Sequence, residues 1–172
     1  MTYALEQLAA DCRESLQRDP GQTGREEVRK FIERACTDPE FVRAHLGPAA
    51  EDARKILYED PELGFCILAH VHLGVANSQP HDHGPSWAVY GQVAGETEMI
   101  EWKEVSPGHV EKVRQYRLRP GQAVVYHEGD IHSPRREGAT RLLRVEGVNM
   151  DNVGRRRFSP VDPREQVAHS QA

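Results

Sequence analysis

The sequence predicts a mainly β chain, a barrel or sandwich, behind a small helical N-terminal layer. Three observations carry this. The first fifty or so residues repeat their apolar positions at helical spacing. From Gly64 onward, short β-rich runs recur at intervals of about ten residues. Between most of those runs stand turn-forming pairs such as Ala94-Gly95, Pro107-Gly108 and Pro120-Gly121.

The helical part reads in order. Leu5, Leu8, Ala9, Cys12 and Leu16 fall on one helical face, and Asp19-Pro20-Gly21 ends that segment. Thr23 with Glu26 offers a capping box ahead of Val28, Phe31, Ile32 and Ala35. Asp38-Pro39 supplies an N-cap and a first-turn proline for a short helix through Phe41, Val42 and Leu46, closed by Gly47-Pro48. A further short helix is expected over 49–57. The strand candidates are 64–75, 86–93, 96–105, 110–118, 123–127 and 140–148. The expected organisation is a helical layer over 1–60, a barrel over 61–151 and a polar C-terminal tail over 152–172 that wraps the surface or frays.

Composition narrows the function classes. With 172 residues, 38% of them apolar and 28% charged, the chain holds one core and is no disordered polymer. A net charge of -5 and a pI near 6.0 argue against a nucleic-acid partner or an anionic membrane surface. Mean hydropathy is -0.68, and no apolar run reaches the roughly 20 residues of a membrane span. The N-terminus is acidic where a signal peptide is basic and then apolar, so a cytoplasmic setting is expected. Three widely spaced cysteines form no CxxC pair, which indicates neither a disulfide framework nor a cysteine-based zinc site. The nine histidines are the anomaly, because several are clustered.

The sharpest cluster is Pro80-His81-Asp82-His83-Gly84. Residues two apart on an extended chain project from the same face, so His81 and His83 offer half of a metal site. A histidine from another segment would complete three protein ligands and leave positions open for water or substrate. His132 follows the tight turn at Gly129 and is the candidate.

These residues resemble the cupin superfamily, the double-stranded β-helix jelly-roll barrels. His81-Asp82-His83, Ala88 and Gly95 fall on the first cupin motif, and Gly121, Gly129 and His132 on the second, with His127 where a proline is usual. The match spans about 64–150. Ala88 stands where the motif usually supplies a carboxylate ligand. The register therefore leaves His81, His83 and His132, all neutral, and a divalent ion among them keeps its full charge. Such a site favours an anionic chelating substrate. A three-histidine cupin with a small residue in place of the glutamate is most similar to the cysteine dioxygenase type I-like, or thiol dioxygenase, group. The segments 80–83 and 99–102 share that likeness.

The resemblance implies non-haem Fe(II), with zinc, nickel or manganese as alternatives, and an enzyme that moves both atoms of O2 onto a substrate sulfur. Small-molecule substrate and O2 are then the partners. The group holds the substrate carboxylate with an Arg just before the barrel. Here Lys55, or Arg54, occupies that region, and a lysine lacks the bidentate fork. The group places a Tyr on the late strand, where this chain offers Arg144 or Glu146. Three other readings stay open: cleavage of a C–C bond in a diketone or aromatic hydroxy acid, a cupin that binds a metal or ligand without turnover, and an isomerase or hydrolase using zinc or manganese as Lewis acid.

Further candidates follow from alternation. Tyr90 lies two residues beyond Ala88 and should face the same cavity, as a donor to substrate or oxygen or as barrel filling. His70 and His72 share a face on the strand before the histidine loop and are candidate substrate contacts, or half-exposed strand residues. His127 is either a partner orienting a ligand or a rim residue in place of the turn proline. Trp87 is expected under the helices, Asp82 as a brace of its own loop, and Cys66 as a buried small apolar residue.

Overall fold

A computed structural model describes residues 3–161 of the chain. Helices α1 (Leu5–Arg18), α2 (Gln22–Thr37) and α3 (Pro39–Leu46) precede ten strands. These are β1 (Lys55–Glu59), β2 (Cys66–His72), β3 (Ala76–Asn77), β4 (Ala88–Ala94), β5 (Thr97–Ser106), β6 (His109–Leu118), β7 (Ala123–Tyr126), β8 (Ile131–Arg136), β9 (Thr140–Glu146) and β10 (Ser159–Pro160). They form two five-stranded sheets, ordered β1-β2-β9-β4-β7 and β10-β6-β5-β8-β3. Non-sequential neighbours such as β2-β9-β4 give the jelly-roll, double-stranded β-helix arrangement that the sequence predicts. No helix among the described residues is long and apolar enough to cross a membrane.

The helices cover the outer face of the first sheet. Leu8, Cys12, Val28, Ile32, Ala35, Phe41 and Leu46 join Ile67, Ala69, Val71, Val89, Leu143 and Val145 in one buried cluster. Trp87 belongs to it as expected, with the Arg25 guanidinium 5.4 Å from its ring centre. α2 crosses β4 closely: a Cβ on Gly91 would stand 2.3 Å from Ile32 Cγ2 and 2.7 Å from Cys36 Sγ. Arg141 ties α3 down by donating to the carbonyls of Gly47 at 2.8 Å and Ala50 at 2.9 Å, which satisfies groups that the helix end leaves free.

Cap chemistry is mixed. Asp38 accepts from the backbone N–H of Glu40 and Phe41, as its N-cap position predicts. The Thr23–Glu26 box does not form: α2 starts two residues earlier, with Gly21 as N-cap and no side-chain cap.

Two segments depart from the sequence reading. The helix expected over 49–57 is absent, and residues 55–59 instead pair antiparallel with β2. A short apolar run does not distinguish helix from strand; the open edge of β2 decides it. Strand β8 was not among the candidates. It contains Pro134, yet it pairs with β5 from Trp102↔Ile131 to Glu98↔Arg135. Of the expected C-terminal tail, residues 152–161 cross the second sheet, where β10 runs parallel to β6; 162–172 lie outside the described residues.

Candidate metal centre

Alternation along four strands builds the barrel interior. On β9, Leu143 and Val145 face the helices, so Leu142, Arg144 and Glu146 face inward. On β4 the inward set is Ala88 and Tyr90, and on β7 it ends at Tyr126. His132 and Arg136 alternate with the exposed Arg135 on β8 and are buried.

His81, His83 and His132 converge in this interior, with one candidate ligand atom from each lying within 4.8 Å of the others. All three are buried. Their ring centres are 4.8 Å apart for His81–His132 and 4.9 Å for His83–His132. The backbones of His81 and His132 exchange two hydrogen bonds of 3.0 Å, which locks the histidine loop to β8. Asp82 fixes the loop from the other side. Its carboxylate accepts from the N–H of Gly84 and Arg156 at 2.9 Å and from Arg156 Nε at 2.8 Å. Gly84 has φ +56, and a Cβ there would meet the Gly154 carbonyl oxygen at 2.2 Å, so the C-terminal segment presses directly on the loop.

Protonation states suit a cation. Burial pushes His83 down to about 2 and His81 down to about 4, and holds His132 well below its ordinary value. All three are neutral near pH 7, with lone pairs available. His81 Nδ1 donates to the Gln79 carbonyl at 2.8 Å, which leaves Nε2 as its free acceptor. The Tyr90 hydroxyl sits 2.9 Å from His83 Nε2 and 3.4 Å from His132 Nε2. One hydroxyl proton serves only one of them, and the Nδ1 atoms of both rings are buried without partners. Neighbouring nitrogens on one ion at roughly 2.1 Å stand about 3.0–3.4 Å apart, so binding an ion would draw these rings together by about 1–2 Å. The residues present therefore fit a divalent cation, and no carboxylate belongs to the group.

Neighbours shape the site. Burial pushes the Tyr90 hydroxyl up, so it stays protonated and able to donate. Tyr126 packs its ring 4.0 Å from that of His132, and its hydroxyl meets that of Tyr116 at 2.6 Å. Beside the histidines lies a cavity of about 120 Å3 lined by His70, His72, His81, Tyr90, Arg136 and Arg144, among others. Arg144 lies over the Tyr90 ring at 4.3 Å. Its Nη2 is 2.9 Å from Glu146 Oε1, a close ionic contact without hydrogen-bond direction. Glu146 also pairs with Arg54 at 3.0 Å.

The sequence candidates thus divide. Tyr90, His70, His72 and Arg144 stand together beside His81, and Asp82 braces the loop. Cys66 is fully buried. Lys55 does not reach the site: it is exposed at the start of edge strand β1, while its neighbour Arg54 reaches Glu146, Asn149 and Asp151. His127 is also outside. Tyr126 takes the inward position at the end of β7, so the half-buried His127 points the other way, with Nδ1 3.3 Å from Arg25 on α2. Two participants went unread, Arg136 and Tyr126; Glu146, offered beside Arg144 on the late strand, is a buried counter-charge to Arg144 and Arg54. Alternation from His132 along β8 would have found Arg136, had that strand been recognised.

No family model matches the chain, and no curated protein matches it. Solved structures similar to it include a double-stranded β-helix protein from Klebsiella pneumoniae, at 14% identity and TM-score 0.46, covering 64% of this chain and 81% of that one. A cupin superfamily protein from Desulfitobacterium hafniense shares 11% identity at TM-score 0.43, covering 56% and 76%. KdgF from Halomonas sp. shares 20% at TM-score 0.45, covering 58% and 82%. The chain's own strand order and histidine cluster define its class, a double-stranded β-helix barrel with a candidate metal centre in its interior.

Proposed function

We propose that this protein is a mononuclear non-haem iron dioxygenase of the three-histidine type, acting on a small anionic chelator, with a thiol as the preferred substrate. A thiolate and O2 would combine to a sulfinate, both oxygen atoms ending on sulfur. The observation that carries this reading is the convergence of three buried, neutral imidazoles with no acidic ligand, beside a cavity lined by arginine. When bound, a ferrous ion would supply the redox chemistry that joins O2 to the coordinated sulfur.

The chain's own residues do the rest. His81, His83 and His132 would hold the ion. Arg144 attracts an anion and, through its stacking on Tyr90, keeps that ring in place. The Tyr90 hydroxyl lies 2.9 Å from His83 Nε2 and 3.4 Å from His132 Nε2, and with the ion bound it would be free to donate to a substrate anion or to oxygen instead. His70, 7% exposed, and the half-buried His72 limit water on the far side of the cavity.

The test is oxygen uptake by protein loaded with Fe(II) under anaerobic conditions and then challenged with thiols, diketones and catechol-like acids. Uptake with thiols and a sulfinate product supports the proposal. Uptake only with a diketone or hydroxy acid, giving C–C cleavage, replaces it with that chemistry. No uptake with any class makes the site a binder rather than a catalyst.

A further inference from the structure

The cavity beside the histidines carries more positive charge than its protein partners neutralise. Arg136 is 6% exposed, its Nε is buried without a hydrogen-bond partner, and among the described residues it forms no ion pair. Arg144 is 8% exposed and its Nε is likewise unpartnered. Among the described residues its only ion-pair carboxylate is Glu146, shared with Arg54. Arg155 adds a third arginine at the cavity wall, and among the described residues no acid lines the space. His70 Nε2 is also buried there without a partner.

A buried charge without a counter-charge or hydrogen bonds is strongly disfavoured. Arg136 keeps its charge near neutrality, even though burial pushes its pKa down to about 10. Two such forks in one cavity suit the oxygens of a carboxylate or phosphonate group.

We infer that the ligand of this site is a small dianion without a cationic group: one anionic function meets the metal, and a second, carboxylate-like function is held between Arg136 and Arg144. This deepens the proposed function and rests on its reading of the three histidines. An α-amino acid would bring its ammonium group among guanidiniums with no acid to receive it. A neutral chelator would leave Arg136 unpaired and Arg144 with Glu146 alone. The cavity, about 120 Å3, limits the dianion to a few carbon atoms.

The experiment uses malonate as the dianionic probe and cysteine as the zwitterionic one. Binding to metal-free protein is measured by calorimetry at low ionic strength, and metal content is measured separately after loading. Malonate should bind at least about 10-fold more tightly than cysteine. Arg136→Gln should lose about 10-fold or more in malonate affinity and keep the wild-type metal content. Arg144→Gln should do the same; it also strips Glu146 of a partner, so Arg136→Gln is the decisive variant. Equal affinity for the two probes overturns the inference, as does unchanged malonate binding in Arg136→Gln. A wild-type protein that takes up no metal yet binds malonate through Arg136 sinks the histidine reading and supports the dianion pocket.

Discussion

The two faces of strand β9 follow opposite rules. On the outer face Leu143 and Val145 are fully buried beneath the helices, among apolar neighbours. Arg141, on the same face, satisfies the free carbonyls after α3. On the inner face, one residue out of phase, Arg144 and Glu146 are almost as deeply buried and remain incompletely bonded. Apolar contact on the outer side stabilises the fold, at roughly 25 cal/mol per Å2 removed from water. Buried, half-satisfied charge on the inner side costs stability, and a ligand would offset that cost. The lesson is that burial alone does not separate core from site; hydrogen-bond satisfaction does.

The largest effect that tests this division belongs to the inner side. His132→Ala should abolish metal uptake, read by elemental analysis after loading. The metal-free variant should melt within about 5 °C of the wild type, because a buried imidazole with an unpartnered Nδ1 contributes little to the fold. A variant that retains full metal content would remove His132 from the ligand set.

The outer face should behave in reverse. Leu143→Ala should cost about 2–5 kcal/mol in denaturant unfolding, with metal content per folded chain unchanged. Loss of metal without loss of stability would erase the distinction between the faces.

A smaller effect is expected where the C-terminal segment clasps the histidine loop. Asp82→Asn keeps shape and weakens the ionic contact with Arg156. Metal affinity should fall about 10–100-fold, as for other residues that orient ligands from behind. Competition with a chelator reads this, and an unchanged affinity would show that the loop holds itself.

Arg136→Met should be neutral or stabilising, by about 0–2 kcal/mol, because it replaces an unpaired buried guanidinium with an apolar side chain of similar length. A clear destabilisation would mean that Arg136 serves the fold rather than a ligand.

The smallest effect lies outside both faces. Asp60 is buried beneath α1 with Arg13 at 2.7 Å. Burial alone would raise its carboxyl. The N–H groups of Leu63 and Glu62, with Arg13, outweigh that and hold it below its ordinary value. A carboxyl depressed on folding adds stability above its unfolded pKa of about 3.9 and loses it as pH falls through the lower folded value. The stability gap between wild type and Asp60→Asn should therefore be constant from pH 7 to about 5 and shrink below that.

Much of this was legible in the sequence, for a local reason. HxH spacing on an extended segment, and a histidine just after a glycine turn, are short-range patterns, and the structure brings the three residues they single out, His81, His83 and His132, together. Period-two alternation from Ala88 likewise turned Tyr90 inward. What stayed hidden depends on pairing partners far along the chain. Strand β1 is a strand because β2 offers it an edge. Strand β8 is a strand because β5 receives it despite Pro134, and without β8 nothing told Arg136 from Arg135. Of the two readings of His127, the structure shows the rim position, since Tyr126 holds the inward one. Of Lys55 and Arg54, it is Arg54 that reaches the buried carboxylate.

The central claim is a metal ion held by three imidazoles with no carboxylate. Anomalous diffraction from crystals of the iron-loaded protein, collected on both sides of the iron edge, tests it most directly. The account predicts one iron peak per chain, bonded to nitrogens of His81, His83 and His132, with Glu146 still paired to Arg54 and Arg144. An iron bonded to Glu146, or a peak away from these rings, would contradict it.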